Sequence, residues 1–217
     1  MSYSIVVIGA GGHAAVVADA LLSSGKRVLG YTDRDATRVP AILLGFPVLG
    51  TDAILSKYTK EDVRLANGLG DVRDDAGRLA RQNMHSFFTN AGWSFESVRH
   101  PTAIISPSAR VSGSAQVMAG AIVQAGADIG DGCIINSGAI VEHDCRIGDW
   151  THVAPGAVVC GGVSVGPESH IGAAAVVRQS VHLGQRTYIG AGAVVIRDYY
   201  DGGILVGNPA MARKERA

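Results

Sequence analysis

Neither sign of charge prevails in this chain. Nineteen Lys and Arg residues are balanced by nineteen Asp and Glu residues, for a formal net charge of zero, so there is no electrostatic case for a nucleic-acid partner. No apolar run approaches the length needed to cross a bilayer. The start lacks a basic region followed by a signal-type core, and the apolar stretch from Ile5 to Ile8 is too short to be one. Cysteine is scarce as well. Cys133, Cys145 and Cys160 make no disulfide framework. Two of them, Cys133 and Cys145, fall where a small inward side chain is expected, so the thiol reads as a small buried hydrophobe. Together these absences predict a soluble, cytoplasmic globular protein, with no nucleic acid and no membrane insertion.

What the chain has in quantity is glycine, 29 of its 217 residues, and a strict period. Sixteen consecutive positions at six-residue steps, from Ile105 through Val123, Val141, Val159 and Val177 to Val195, are all aliphatic. Neither the helical period of 3.6 nor simple alternation produces this. A chain that turns a corner every six residues does. Two residues before the next aliphatic position comes a preference for small side chains: Ala109, Ala115, Ala121, Ala127, Cys133, Ala139, Cys145, Thr151 and Ala157. Positions two apart on a strand point the same way, so both sets point inward and the glycine-rich stretches turn the corners. Three sides close a triangle, one coil takes eighteen residues, and about five coils stack at the ordinary strand spacing of roughly 4.8 Å. The period predicts a parallel β-helix.

The residue before each aliphatic position must then face outward, and eighteen-residue steps sort these residues into three columns. Ile122, Ile140, Val158, Val176 and Val194 form an apolar column; Arg110, Asp128, Arg146, Ser164 and His182 a wet one; Gln116, Ile134, His152, His170 and Tyr188 a mixed one. A contiguous outward apolar stripe marks an interface. The expected cover is a second and third copy of the chain in a closed homotrimer; the alternative is the N-terminal domain folding back. The mixed column, with its histidines, is where chemistry is expected.

The first hundred residues read differently. Strands are expected at Ser4 to Ile8, Val28 to Thr32, Val63 to Ala66 and Ser94 to Val98, and helices from Ala15 to Leu22 and from Asp74 to about Asn90. Such alternation implies a parallel sheet covered by helices, with ligands beyond the carboxyl ends of its strands. Three loops lie there: Gly9-Ala10-Gly11-Gly12-His13-Ala14, Asp33-Arg34-Asp35 and Asn67-Gly68-Leu69-Gly70-Asp71. Gly9, Gly11 and Ala14 satisfy the G-x-G-x-x-G/A fingerprint, with Asp33 some two dozen residues on, and this lets a phosphate approach a helix N-terminus. A complete dinucleotide domain needs more chain than precedes the repeats, so a nucleotide diphosphate carried by a sugar fits better than a nicotinamide or flavin; a turn needed only for packing is the third possibility. The predicted architecture is an α/β, Rossmann-like domain with a short parallel sheet at 1–98, followed by the β-helix at 99–217.

One repeat departs from small and apolar content: Glu142-His143-Asp144-Cys145-Arg146-Ile147-Gly148-Asp149-Trp150-Thr151-His152. His143 sits at a corner immediately after the apolar column, where it would line an intersubunit cleft, and His152 follows half a coil later on the mixed one. With Gly11 to His13, His100-Pro101, Ser106-Pro107-Ser108-Ala109 and Val206-Gly207-Asn208-Pro209-Ala210, this segment resembles the hexapeptide-repeat sugar acyltransferases. That group includes the bacillosamine-pathway UDP-4-amino-sugar acetyltransferase, GDP-perosamine N-acetyltransferase and NeuD-type sialic acid O-acetyltransferases. The resemblance implies a left-handed β-helix and direct transfer from acetyl-CoA. It makes His143 the general base, oriented by Asp144, with Glu142 as rival partner. It places His152 and the backbone at Ala173 and Ala191 on acetyl-CoA, and Arg197, Arg213 and Lys214 near coenzyme phosphates or in a solvated tail. It also places Gly11, Gly12, His13 and Gly70 on a nucleotide-linked amino sugar, with Asp33-Arg34 where one relative has two acids. No metal is implied. The phosphate-type loops favour N-acetylation of a nucleotide-linked 4-amino-deoxy sugar over O-acetylation of free sialic acid. Two other readings compete: a zinc-dependent carbonic anhydrase-like β-helix using His143, His152, His170 and His182, although the closely spaced histidine pair of that group is missing, and a non-catalytic solenoid, which leaves the N-terminal loops unexplained.

Overall fold

A computed structural model describes residues 3–35, 37, 40–70 and 75–213. Asp71, Asp74 and Lys214, which the sequence reading included, lie outside the described residues. The chain divides into two compact units, residues 1–101 and 102–217.

In the first unit, strand β1 (Ser4–Ile8) is buried at every residue, as its unbroken apolar run requires of a central parallel strand. It lies between β2 (Val28–Thr32) and β5 (Val63–Asn67), parallel to both. Helix α1 (Gly12–Ser23) follows β1 and α2 (Asp75–Asn90) follows β5. Val6, Ile8, Leu65, Met84 and Phe88 share one core cluster. Two segments differ from expectation. A hairpin, β3 (Ile42–Leu43) and β4 (Phe46–Gly50), extends the sheet to the order β3-β4-β2-β1-β5. Its turn places Leu44 and Gly45 at φ +49° and +79°, the two-residue hairpin conformation; no strand was expected there, and Pro47 in β4 is a residue that argues against one. The strand expected from Ser94 to Val98 is instead a single bridge from Phe95 to Leu65 and a two-residue strand, Val98–Arg99. Between them the Glu96 carboxylate is drawn to Tyr3 Oη (2.8 Å), Lys26 Nζ (2.9 Å) and Arg64 Nη1 (3.1 Å).

The second unit follows the six-residue register. Two-residue strands recur at each step, and residues eighteen apart pair in parallel, as in Ile122 with Ile140, Arg146 with Ser164 and His152 with His170. The inward aliphatics and the small residues before them, including Cys133 and Cys145, form one buried column. Burial pushes the Cys145 thiol up to about 11, which keeps it protonated and inert. Polar residues in the column satisfy themselves on corner carbonyls: Thr151 Oγ1 donates to Gly166 O (3.2 Å) and Ser169 Oγ to Gly184 O (3.3 Å), as buried hydroxyls must. Gly203–Val206 and Met211–Ala212 close the far end, the first parallel and the second antiparallel.

From residue 120 to residue 192, each corner has a residue in the left-handed conformation. Glycine fills it at 120, 126, 132, 138, 156, 162 and 192, but Asp144, Trp150, Glu168, Ala174, Ser180 and Arg186 hold φ of +53° to +60° there. Such residues are strained relative to glycine. Ala174→Gly is therefore expected to raise the unfolding free energy by up to ~1 kcal/mol, less what the flexible unfolded chain gains; a drop of that size in thermal or chemical denaturation would contradict the assignment.

Candidate active site

The corner between the apolar stack, at Ile140–Val141, and the wet stack, at Arg146–Ile147, carries His143 and Asp144. Neighbours in a regular strand point apart. Asp144, at φ +58°, is turned back instead, and its Oδ2 lies 2.9 Å from His143 Nδ1. Backbone bonds to both adjoining coils fix the corner: Asp144 N donates to Ala125 O (3.0 Å), and His143 O accepts from Gly162 N (2.9 Å). The rival Glu142 lies on the strand side of the corner, its N–H bonded to Val159 O. A carboxylate against Nδ1 favours the tautomer of the neutral ring that carries its proton there and presents the Nε2 lone pair. Both side chains are open to solvent, 64% and 73% exposed, so a substrate can reach them.

The mixed stack is more enclosed. Gln116, Ile134 and His152 are buried, and His170 and Tyr188 partly so. Their rings form a ladder: His152 edge-on to His170 at 5.0 Å, and His170 stacked on Tyr188 at 4.7 Å. His152 Nε2 lies 3.0 Å from Asn136 Nδ2, and the amide is oriented because its Oδ1 accepts the Ser137 N–H at 2.8 Å. Ala173 and Ala191 are exposed at successive coils of the corner that follows this stack. Within one chain, then, His152, Ala173 and Ala191 lie on one side of the triangular coil, and His143 with Asp144 lies at the opposite corner.

In the first unit, the three expected loops converge. β1 is flanked on both sides, so its end is where the chain crosses from one half of the sheet to the other, the place where such sheets bind ligands. Ala10 N donates to Asp33 Oδ2 (3.0 Å), tying the first loop to the second. A Cβ on Gly70 would lie 2.4 Å from His13 Cγ, so the third loop rests directly on the first. Gly11 and Gly12 have no atom within 4 Å of where a Cβ would be, and α1 has no side-chain cap, leaving its N-terminal amides open to an anion. A cavity of about 420 Å³ lies here, against Gly11, Gly12, His13 and Gly70. A second, of about 490 Å³, is lined by Asp33 and Arg34, and by Asp52, Asn83, Met84 and Phe87. The last four were not foreseen. Asp52 lies in the 3-10 turn Asp52–Lys57, and the rest belong to an amphipathic helix, a pattern that by itself signals only packing.

Residues 4–74 match the PglD N-terminal domain family and residues 126–161 the bacterial transferase hexapeptide (six repeats). Among solved structures, the acetyltransferase domain of PglB from Neisseria gonorrhoeae, in complex with acetyl coenzyme A, is 36% identical, with 98% of this chain and 100% of that one covered at a TM-score of 0.87. PerB from Caulobacter crescentus, in complex with CoA and GDP-perosamine, is 38% identical, with 97% of each chain covered, also at 0.87. This chain belongs to the hexapeptide-repeat sugar acetyltransferases with a PglD-type N-terminal domain. Its β-helix is accordingly the left-handed form. The Caulobacter enzyme has also been solved with a histidine replaced by asparagine and by alanine, bound to CoA and GDP-perosamine. No curated protein matches this sequence. Among the described residues, no group of three His, Cys, Asp or Glu side chains is arranged to hold a metal ion.

The histidine ladder has a consequence for stability. Burial pushes the His170 imidazole down to about 4. Above its ordinary value near 6.5 the ring is neutral in both folded and unfolded chains, and no stability is lost. As pH falls from there toward 4, the unfolded chain takes up a proton that the native chain refuses, which removes up to ~3 kcal/mol. Comparing melting temperatures at pH 7 and 5 tests this. His170→Phe, which keeps a ring against Tyr188, is expected to shrink the acid-induced drop; a drop equal to wild type would show that another group is responsible.

Proposed function

We propose that this protein transfers the acetyl group of acetyl-CoA to the 4-amino group of a nucleotide-linked amino-deoxy sugar. The observation that carries the reading is the His143–Asp144 contact at 2.9 Å, made at an exposed corner that the two adjoining coils fill with Ala125-Gly126 and Gly161-Gly162. His143 Nε2 takes the proton from the amine as its nitrogen adds to the thioester carbonyl, and returns it to the departing sulfur. Near neutral pH a histidine has about the right basicity for both tasks. The Asp144 carboxylate keeps the proton on Nδ1 and stabilises the imidazolium while it lasts.

His152, Ala173 and Ala191 hold acetyl-CoA, and Arg197 and Arg213, which follow the last coil, meet its phosphates. In the N-terminal domain, residues 1–98, Gly11, Gly12, His13 and Gly70 take the sugar-linked diphosphate at the start of α1, and Asp33 and Arg34 face the nucleoside. The β-helix domain, residues 99–217, assembles into a homotrimer through its apolar stack. Since His143 and His152 lie on opposite sides of one coil, the two meet only across a subunit boundary. A cytoplasmic location fits substrates of this kind.

The test is acetyl-CoA turnover, followed as CoA release, across UDP-, GDP- and dTDP-linked amino sugars plus sialic acid. Turnover is expected with a nucleotide-linked 4-amino sugar. Turnover with sialic acid alone would make the protein an O-acetyltransferase and overturn the reading.

A further inference from the structure

The corner positions directly before and after His143 in its column are small: Ala125 one coil before and Gly161 one coil after. A Cβ on Gly161 would lie 2.5 Å from His143 Nε2 and 2.6 Å from Cε1. On the other side, a Cβ on Gly126 would lie 2.5 Å from Asp144 Oδ1. The imidazole therefore rests on the bare backbone of the following coil, and the carboxylate on that of the preceding one. The two glycines differ in a way that isolates the first. Gly126 has φ +71°, a conformation that by itself favours glycine. Gly161 lies outside that region, so its φ does not by itself call for glycine. What its missing side chain provides is the space that the His143 ring occupies.

We propose that Gly161 is a positioning residue for acetyl transfer: the absence of its Cβ sets where His143 Nε2 points while Asp144 holds the other ring nitrogen. The proposal rests on His143 being the general base. The size of the effect follows from the geometry. Alanine at 161 forces the ring away by about 0.9 Å to regain an ordinary contact of 3.4 Å, and a misplacement near 1 Å at a reacting group costs around 10²-fold. The Nδ1–Asp144 contact is strained by the same movement.

The experiment compares kcat, melting temperature and the imidazole NMR signals of His143 in wild type, Gly161→Ala, His143→Ala and the double variant. The expected result is a kcat lower by about 10²-fold in Gly161→Ala, an unchanged melting temperature and shifted His143 signals. The double variant should be no slower than His143→Ala alone, because Gly161 acts only through the ring. A kcat within twofold of wild type, or losses that multiply in the double variant, would overturn the proposal. Failure of the underlying reading has its own signature, a near-normal kcat in His143→Ala. In that case the NMR signals still decide whether Gly161 sets the ring: unshifted signals in Gly161→Ala reject it.

Discussion

His143→Ala lowers kcat by roughly 10²–10⁴-fold, the usual worth of a general base, and leaves the fold intact. The fold is spared because the side chain is 64% exposed and contributes nothing to the inward column that stabilises the coil. The loss falls on kcat because, in the proposed reaction, His143 acts on the proton that moves during the chemical step, so KM for acetyl-CoA stays near its wild-type value. Asp144→Asn is a sharper companion. Asparagine also tolerates the left-handed corner, so the backbone survives, but the neutral amide no longer holds the proton on Nδ1 or stabilises the imidazolium. A fall in kcat with retained binding is expected there too. A His143→Ala enzyme with near-normal kcat would remove the residue from this role.

Val158→Asp or Val176→Asp is expected to disperse the proposed homotrimer. The outward residues Ile122, Ile140, Val158, Val176 and Val194 stack directly on one another through five coils, and each remains partly exposed in the single chain. A stripe of that length is an interface in waiting. Aspartate at its centre leaves the coil's own core untouched, since the side chain faces out, but burying an unpaired carboxylate between chains costs on the order of several kcal/mol at each interface. Sedimentation should show a monomer with an unchanged circular dichroism spectrum, and activity should be lost with assembly because the proposed site spans two chains. An unchanged sedimentation profile would refute the interface.

The β-helix was legible almost to the residue, and the reason is physical. In a solenoid each residue meets only the coils above and below it, so its face is fixed by its position modulo eighteen and no long-range packing can override the pattern. His143 at a corner and Val158 on the apolar side followed from counting. The contact between His143 and Asp144 was expected from the family resemblance and not from counting, because a strand pattern says that neighbours point apart. A local signal for it was also present: Asp144 stands in a column with Gly126 and Gly162, both at positive φ, so the corner itself demanded the conformation that turns the carboxylate back. The N-terminal sheet was less transparent. Strand β1 was plain from its apolar run, but the hairpin around Leu44 and Gly45 was not expected, its second strand carrying a proline, Pro47, and Glu96 interrupted what was expected as a strand. The cavity formed by Asp52, Asn83, Met84 and Phe87 depends on how α2 lies against the sheet, which is tertiary information.

The central claim is that the repeat builds one acetyl-transfer site from two chains, with the His143 corner of one facing the His152 side of the next. Subunit complementation tests it directly. His143→Ala and His152→Ala chains, each impaired alone, are denatured together in equal amounts and refolded. Random assembly gives about one interface in four with both histidines intact, so the mixture is predicted to recover about a quarter of wild-type activity. A mixture no more active than the mean of its two parents would contradict the account.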